Sequence, residues 1–302
     1  MKLIGPGLGL AFGLVLRAGS AVAAPVGAGE PGALGVVVTP AAEEPVTLST
    51  GSGWSRLPVR FTLPDGVHVY WLNPGEAGMP TRLDVDLPAA WSRQAPTRDP
   101  VMPPPERFES GGVVGFGYAD EVVMLAEFPI APSLAVGDEA TAEVEVRYLA
   151  CDDQRCVPGS AALGVEVVIG EPWQRSATPA EQALRAAYDA PRIVEAEEVE
   201  PGTWAFPLAG VPAAATAVGF FPLPRESAEP LGDHASLRVI EGVPAAEPDG
   251  QGGHRVTAAV TPRTRHAGVA HPSPPWTAGV VAYTLDGERR ALPLLGVRSP
   301  PR

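Results

Sequence analysis

Short alternating strands broken by frequent turns predict an all-β chain, organised as two β-sandwich domains with a short helix between them. Gly (34) and Pro (36) punctuate the 302 residues too often for long helices. Apolar residues recur at every second position, as in Leu57, Val59, Phe61 and Leu63 or Val144, Val146 and Tyr148. The length exceeds that of a typical single domain, and an ordinary hydrophobic fraction of 45% can supply a core to each half.

The first 23 residues predict an export signal. Lys2 gives a positive start, residues 3–16 are apolar, and Ala21-Val22-Ala23 forms an A-x-A cleavage site. That apolar run falls short of the roughly 20 residues that cross a bilayer. Cleavage removes Lys2 and Arg17, leaving 20 cations against 35 acids, a net charge of −15. An acidic surface repels phosphate backbones and anionic lipid, so neither nucleic acid nor membrane is an expected partner of the mature chain. An exported protein works where disulfides can form and persist.

Residues 24–45, rich in Ala, Gly, Pro and Glu, read as a flexible N-terminal segment or a first edge strand. The alternation at 57–63 runs through Pro64-Asp65-Gly66 into Val67-His68-Val69-Tyr70-Trp71, a β-hairpin signal. Residues 75–80 read as a loop, and Leu83, Val85 and Leu87 as a half-buried strand. Residues 100–105 are too proline-dense for a sheet interior. Residues 111–118 read as a flexible loop carrying two aromatics. Strands resume at 121–130 and 141–150, and Leu163, Val165 and Val167 close a first domain spanning 46–170. Thr178-Pro179-Ala180-Glu181 is a capping box with Pro at the first helical position, so a helix should occupy the linker 171–192 and stop at Pro191. The second domain, 193–302, offers six strand candidates and no cysteine.

Cys151 and Cys156, the only two cysteines, end an alternating strand with four residues between them. Bridging needs Cα atoms within about 7 Å, which a turn there would allow. So short a loop contributes little chain entropy, about 2 to 3 kcal/mol at most. On spacing alone the pair can be a redox-active dithiol, a structural staple or part of a metal site. The metal reading is the poorest, because zinc needs four ligands or three and water, and no His lies close in sequence. Asp152 and Asp153 disfavour a thiolate, whereas Arg155 favours one. Asp84 and Asp86 sit on a solvent-facing alternation, and His234, His254, His266 and His271 lack ligand spacing. No metal or other cofactor is expected.

Several of these segments together resemble one family. The run from Tyr148 to Pro158, with a strand, Cys151, four residues, Cys156, Val157 and Pro158, resembles the cysteine motif of the periplasmic N-terminal domain of the DsbD and ScsB thiol:disulfide interchange proteins. His68-Val69-Tyr70-Trp71-Leu72-Asn73-Pro74-Gly75 with Gly78 and Pro80 resembles that family's hairpin and following loop. Pro103-Pro104-Pro105-Glu106-Arg107-Phe108 and Gly115-Phe116-Gly117-Tyr118 resemble later blocks in the same order. The likeness covers about 46–170, with weaker traces in the second domain at Gly219-Phe220-Phe221-Pro222 and Ala278-Gly279-Val280-Val281.

The resemblance implies immunoglobulin-like sandwiches and a catalytic pair, Cys151 and Cys156, that passes electrons to periplasmic thioredoxin-like or disulfide isomerase proteins, with a link to cytochrome c biogenesis. It places His68 and Tyr70 beside the cysteines, and Phe116 and Tyr118 in a cap loop that shields them until a partner docks. His68 departs from the family's usual aromatic, and a neutral imidazole there could accept a thiol proton. Full-length members continue into a membrane conduit and a thioredoxin-like domain, so the expected electron donor is a separately encoded membrane protein. The alternative is a non-catalytic periplasmic binding module whose disulfide is structural.

Overall fold

The computed structural model describes residues 31–298 apart from 43–44, 52, 94–97, 111, 172–177, 191, 224–236, 241 and 264–275. The expected export signal and His234, His266 and His271 lie outside the described residues.

Ten strands form the N-terminal part: β1 (Val37–Pro40), β2 (Val46–Leu48), β3 (Trp54–Thr62), β4 (His68–Gly75), β5 (Arg82–Asp86), β6 (Glu106–Ser110), β7 (Val113–Ala119), β8 (Glu121–Pro129), β9 (Glu139–Cys151) and β10 (Cys156–Ile169). They make a three-stranded sheet, β1-β3-β8, and a wider sheet ordered β2-β10-β9-β4-β7-β6, with β5 also on β9. The alternation read at Leu57, Val59 and Phe61 faces Val144, Val146 and Tyr148 in one apolar cluster between the sheets. One open alternative is decided and one expectation is corrected. Residues 37–40 are an ordered edge strand on β3, with Val36 and Val38 buried, so that part of 24–45 is no free tether. Residues 113–119 are a strand paired to both β4 and β6, not a loop.

The one α-helix among the described residues, α1 (Pro179–Ala187), starts where the capping box placed it. The Thr178 side chain accepts from the Glu181 N–H at 3.2 Å, and Glu181 Oε2 accepts from the Thr178 N–H at 3.0 Å. The C-terminal part follows: β11 (Arg192–Glu200), β12 (Thr203–Pro207), β13 (Thr216–Pro222), β14 (Leu237–Ile240), β15 (Glu247–Pro248), β16 (His254–Arg263), β17 (Trp276–Leu285) and β18 (Glu288–Arg298). Hydrogen bonding runs β13-β17-β18-β11-β12-β16-β14, and both ends of that path feed one apolar cluster, so the sheet curls over on itself. The whole is an all-β, immunoglobulin-like architecture.

One edge of the C-terminal sheet is buried on both faces. Phe220, Val281, Tyr283 and Leu292 enter its own cluster, while their neighbours Phe221, Val280, Ala282 and Ala291 join the N-terminal one. Period-two alternation produces this split. The Phe221 ring lies 5.0 Å from that of Phe116 and 6.2 Å from that of Trp71. The wide N-terminal sheet therefore overhangs its three-stranded partner, and β13, β17 and β18 cover the overhang.

Candidate functional site

Cys151 ends β9 and Cys156 opens β10, and the two are direct register partners in this antiparallel hairpin. They are joined as a disulfide, with S–S 2.02 Å. The turn between them is shaped by Asp152, whose Oδ1 accepts from the N–H groups of Gln154 (2.8 Å) and Arg155 (2.9 Å). Those two bonds hold its carboxyl below the usual range. Asp152 thus serves the turn itself, an arrangement Asp side chains favour.

The two sulfur-bearing residues differ in access. Cys151 is 1% exposed, whereas Cys156 is exposed. Beside Cys151 the register places His68 directly opposite on β4, with Tyr70 two residues on and on the same face. The Tyr70 hydroxyl lies 3.3 Å from Cys151 Sγ. A bonded sulfur carries no proton, so the hydroxyl is the donor. Burial raises the Tyr70 pKa and keeps that proton in place. Burial also lowers the His68 pKa, partly countered by the Asp153 and Asp152 carboxylates, so the imidazole is neutral at neutral pH. His68 Nε2 is buried without a hydrogen-bond partner.

The expected cap residues lie elsewhere. Tyr118 pairs with Val69, and Phe116 shares its face, so both point away from His68 and Tyr70 into the core. Phe116 is fully buried, and Tyr118 donates its hydroxyl to the Pro103 carbonyl at 2.8 Å. The aromatic on the cysteine side is Phe108 of β6, whose register partner Gly115 faces the same way. Its ring lies 3.9 Å from that of His68 and 5.6 Å from that of Tyr70. The signal available in the sequence was a lone aromatic among the polar residues Glu106, Arg107 and Glu109.

Glycines make room for this arrangement. A Cβ on Gly115 would stand 2.3 Å from the Phe108 ring, and one on Gly117 would stand 2.0 Å from the Val69 carbonyl oxygen. Gly78, at φ +125°, lets the 75–80 loop lie against Tyr70, where a Cβ would meet the ring at 2.7 Å. Glu76 stitches that loop to β7, its carboxylate accepting from the Val114 N–H at 2.7 Å. Sequence reasoning passed over Glu76.

Among the described residues no cluster of three metal-ligating side chains occurs. Asp84, on the alternation read as solvent-facing, is ion-paired to Arg147 at 2.5 Å, and Asp86 is exposed. The arrangement can do sulfur chemistry: a hairpin disulfide with one half sheltered by a hydroxyl donor and the other open to solvent.

Comparison with known proteins agrees. Residues 38–164, both cysteines included, match the family described as "Thiol:disulfide interchange protein DsbD, N-terminal". The N-terminal periplasmic domain of ScsB from Proteus mirabilis superposes with a TM-score of 0.51 at 16% identity, covering 87% of this chain and 93% of that one. The N-terminal domain of Neisseria meningitidis DsbD in the reduced form aligns at 20% identity over 36% of this chain and 74% of that one, with a TM-score of 0.25. No curated protein matches the sequence. The chain thus carries a segment similar to thiol:disulfide interchange domains, and its cysteine pair lies within that segment.

Proposed function

We propose that the protein is a periplasmic electron relay that reduces disulfides of partner proteins through Cys151 and Cys156. The observation that carries this reading is the asymmetry of the pair: Cys151 buried against Tyr70, Cys156 exposed. In the reduced protein the Cys156 thiolate attacks a partner disulfide. A bond forms between Cys156 Sγ and one partner sulfur, the partner S–S bond breaks, and the second partner sulfur leaves as a thiolate and is protonated. Cys151, losing its proton, then attacks Cys156 Sγ and releases the first partner sulfur as a thiol. The partner gains two electrons and two protons, and the pair returns to the disulfide. A separate membrane dithiol donor reloads it by the reverse steps.

Phe108, rather than Phe116 or Tyr118, is the shielding aromatic in this reading, since its ring rests on both neighbours of Cys151. Residues 46–170 are the working domain, 193–302 a supporting one, and 1–23 the export signal. The partner class is thioredoxin-like proteins. An open groove of about 570 Å³ beside Pro158, lined also by Met79, Pro80, Arg82 and Arg147, offers them a docking surface.

Trapping tests the assignment. Cys151→Ala should accumulate mixed disulfides through Cys156 in the periplasm, and Cys156→Ala should not. Absence of any adduct with either variant would sink the relay. A structural bond typically has a potential below about −300 mV, so a value under that mark would favour the binding-module alternative.

A further inference from the structure

The strand that carries Phe108 has two faces with different duties. Phe108 points to the disulfide side, whereas Arg107 shares a face with Phe116, whose ring packs on Phe221 of the C-terminal sheet. Strand β6 ends its sheet and is hydrogen-bonded to β7 alone, so little ladder holds it. Within the N-terminal part Tyr118 holds the Pro103 carbonyl, and further restraints come from the C-terminal part and its linker. Arg289 of β18 donates from Nη2 to the Pro105 carbonyl at 2.8 Å and from Nη1 to the Ala217 carbonyl at 2.9 Å. Tyr188, just past α1, donates to the Met102 carbonyl at 2.8 Å. Arg107 in turn donates to the Val243 carbonyl at 3.4 Å. The guanidinium of Arg289 also lies 6.0 Å from the Phe221 ring that fills the interface.

We propose that Arg289 and Tyr188 are positioning residues that fasten the 102–108 segment, so that the C-terminal sheet sets how often Phe108 uncovers the His68 and Tyr70 side of the disulfide, where Cys151 is buried. This rests on the relay reading above for its purpose, but the mechanics can be measured without a partner. With the fastenings in place, Phe108 leaves its site by a local opening of β6. Removing one lowers the cost of opening while leaving the sulfur chemistry alone.

The test follows reduction of the oxidised full chain by dithiothreitol, quenched by alkylation. Phe108→Ala sets the uncapped rate. Loss of the Arg289 contacts should raise the reduction rate of Arg289→Ala about fivefold or more over wild type, with the equilibrium against dithiothreitol unchanged. Tyr188→Phe, which loses one hydroxyl and keeps the ring, should move the rate in the same direction by less. Should Arg289→Ala fail to fold by melting, Tyr188→Phe carries the test. In the Phe108→Ala background, Arg289→Ala should add nothing. Unchanged rates in both single variants, a Phe108→Ala rate no faster than wild type, or full additivity with Phe108→Ala would each overturn the proposal. Faster reduction without any trapped partner would leave the fastening intact and remove the relay; trapped partners with unchanged rates would do the opposite.

Discussion

At the scale of single residues, His68 holds the most testable chemistry. Its ring is packed beneath Phe108 opposite Cys151, and burial favours the neutral form. In the unfolded chain an imidazole takes up a proton near pH 6.5, whereas in the folded protein it does so only at lower pH. The unfolded state therefore binds more protons over that window, and acidification below about pH 6.5 erodes stability. His68→Phe removes the titration. Its Tm should fall less than that of wild type between about pH 7.5 and about pH 5, and parallel curves would show that the ring is not sheltered. In the reduced variant, the pH profile of thiol alkylation should also shift if the neutral imidazole accepts a thiol proton; an unchanged profile would end that idea. The cysteine pair was legible in the sequence itself; His68 and Tyr70 came from the family resemblance, with which a strand's period of two, putting positions 68 and 70 on one face, is consistent. Strand pattern alone could not bring them to Cys151 across β4 and β9, since cross-strand register is set by the whole sheet.

At the scale of elements, strand β7 shows why a glycine-rich run misleads. Gly115-Phe116-Gly117-Tyr118 reads as a flexible loop, yet both glycines sit in a paired strand with none of the left-handed backbone that loops require. They are there for space, and the aromatics between them face the core instead of the cysteines. The two glycines should respond differently to a methyl group. At Gly115 the obstacle is the Phe108 ring, a half-buried side chain that can swing, so Gly115→Ala should speed reduction of the disulfide with little loss of stability. At Gly117 the obstacle is the Val69 carbonyl in the middle of a ladder, and Gly117→Ala should cost about 1–3 kcal/mol in urea unfolding. Equal costs at both positions would show that the ring is held as firmly as the main chain. Strand β3 and the capping box at Thr178 were read correctly because local pattern and tertiary role agree there.

At the scale of the whole molecule, the two halves share a core instead of merely touching. Phe220 and Phe221, or Val280 and Val281, look like unbroken apolar runs, which is how a strand covered on both faces reads. The sequence therefore held a sign of the interface, but not the identity of the surface that meets it. That surface is the overhang of the wide N-terminal sheet, where Trp71 and Phe116 rest on Phe221. Its consequence concerns solubility. A chain cut after Gly170 would retain the cysteine hairpin yet turn an aromatic patch out to water. Surfaces of that kind promote self-association. Sedimentation of such a fragment should show dimers or larger species at concentrations where the full chain is monodisperse. A monodisperse fragment would mean that the sandwich closes over its own overhang, making the C-terminal half a dispensable neighbour.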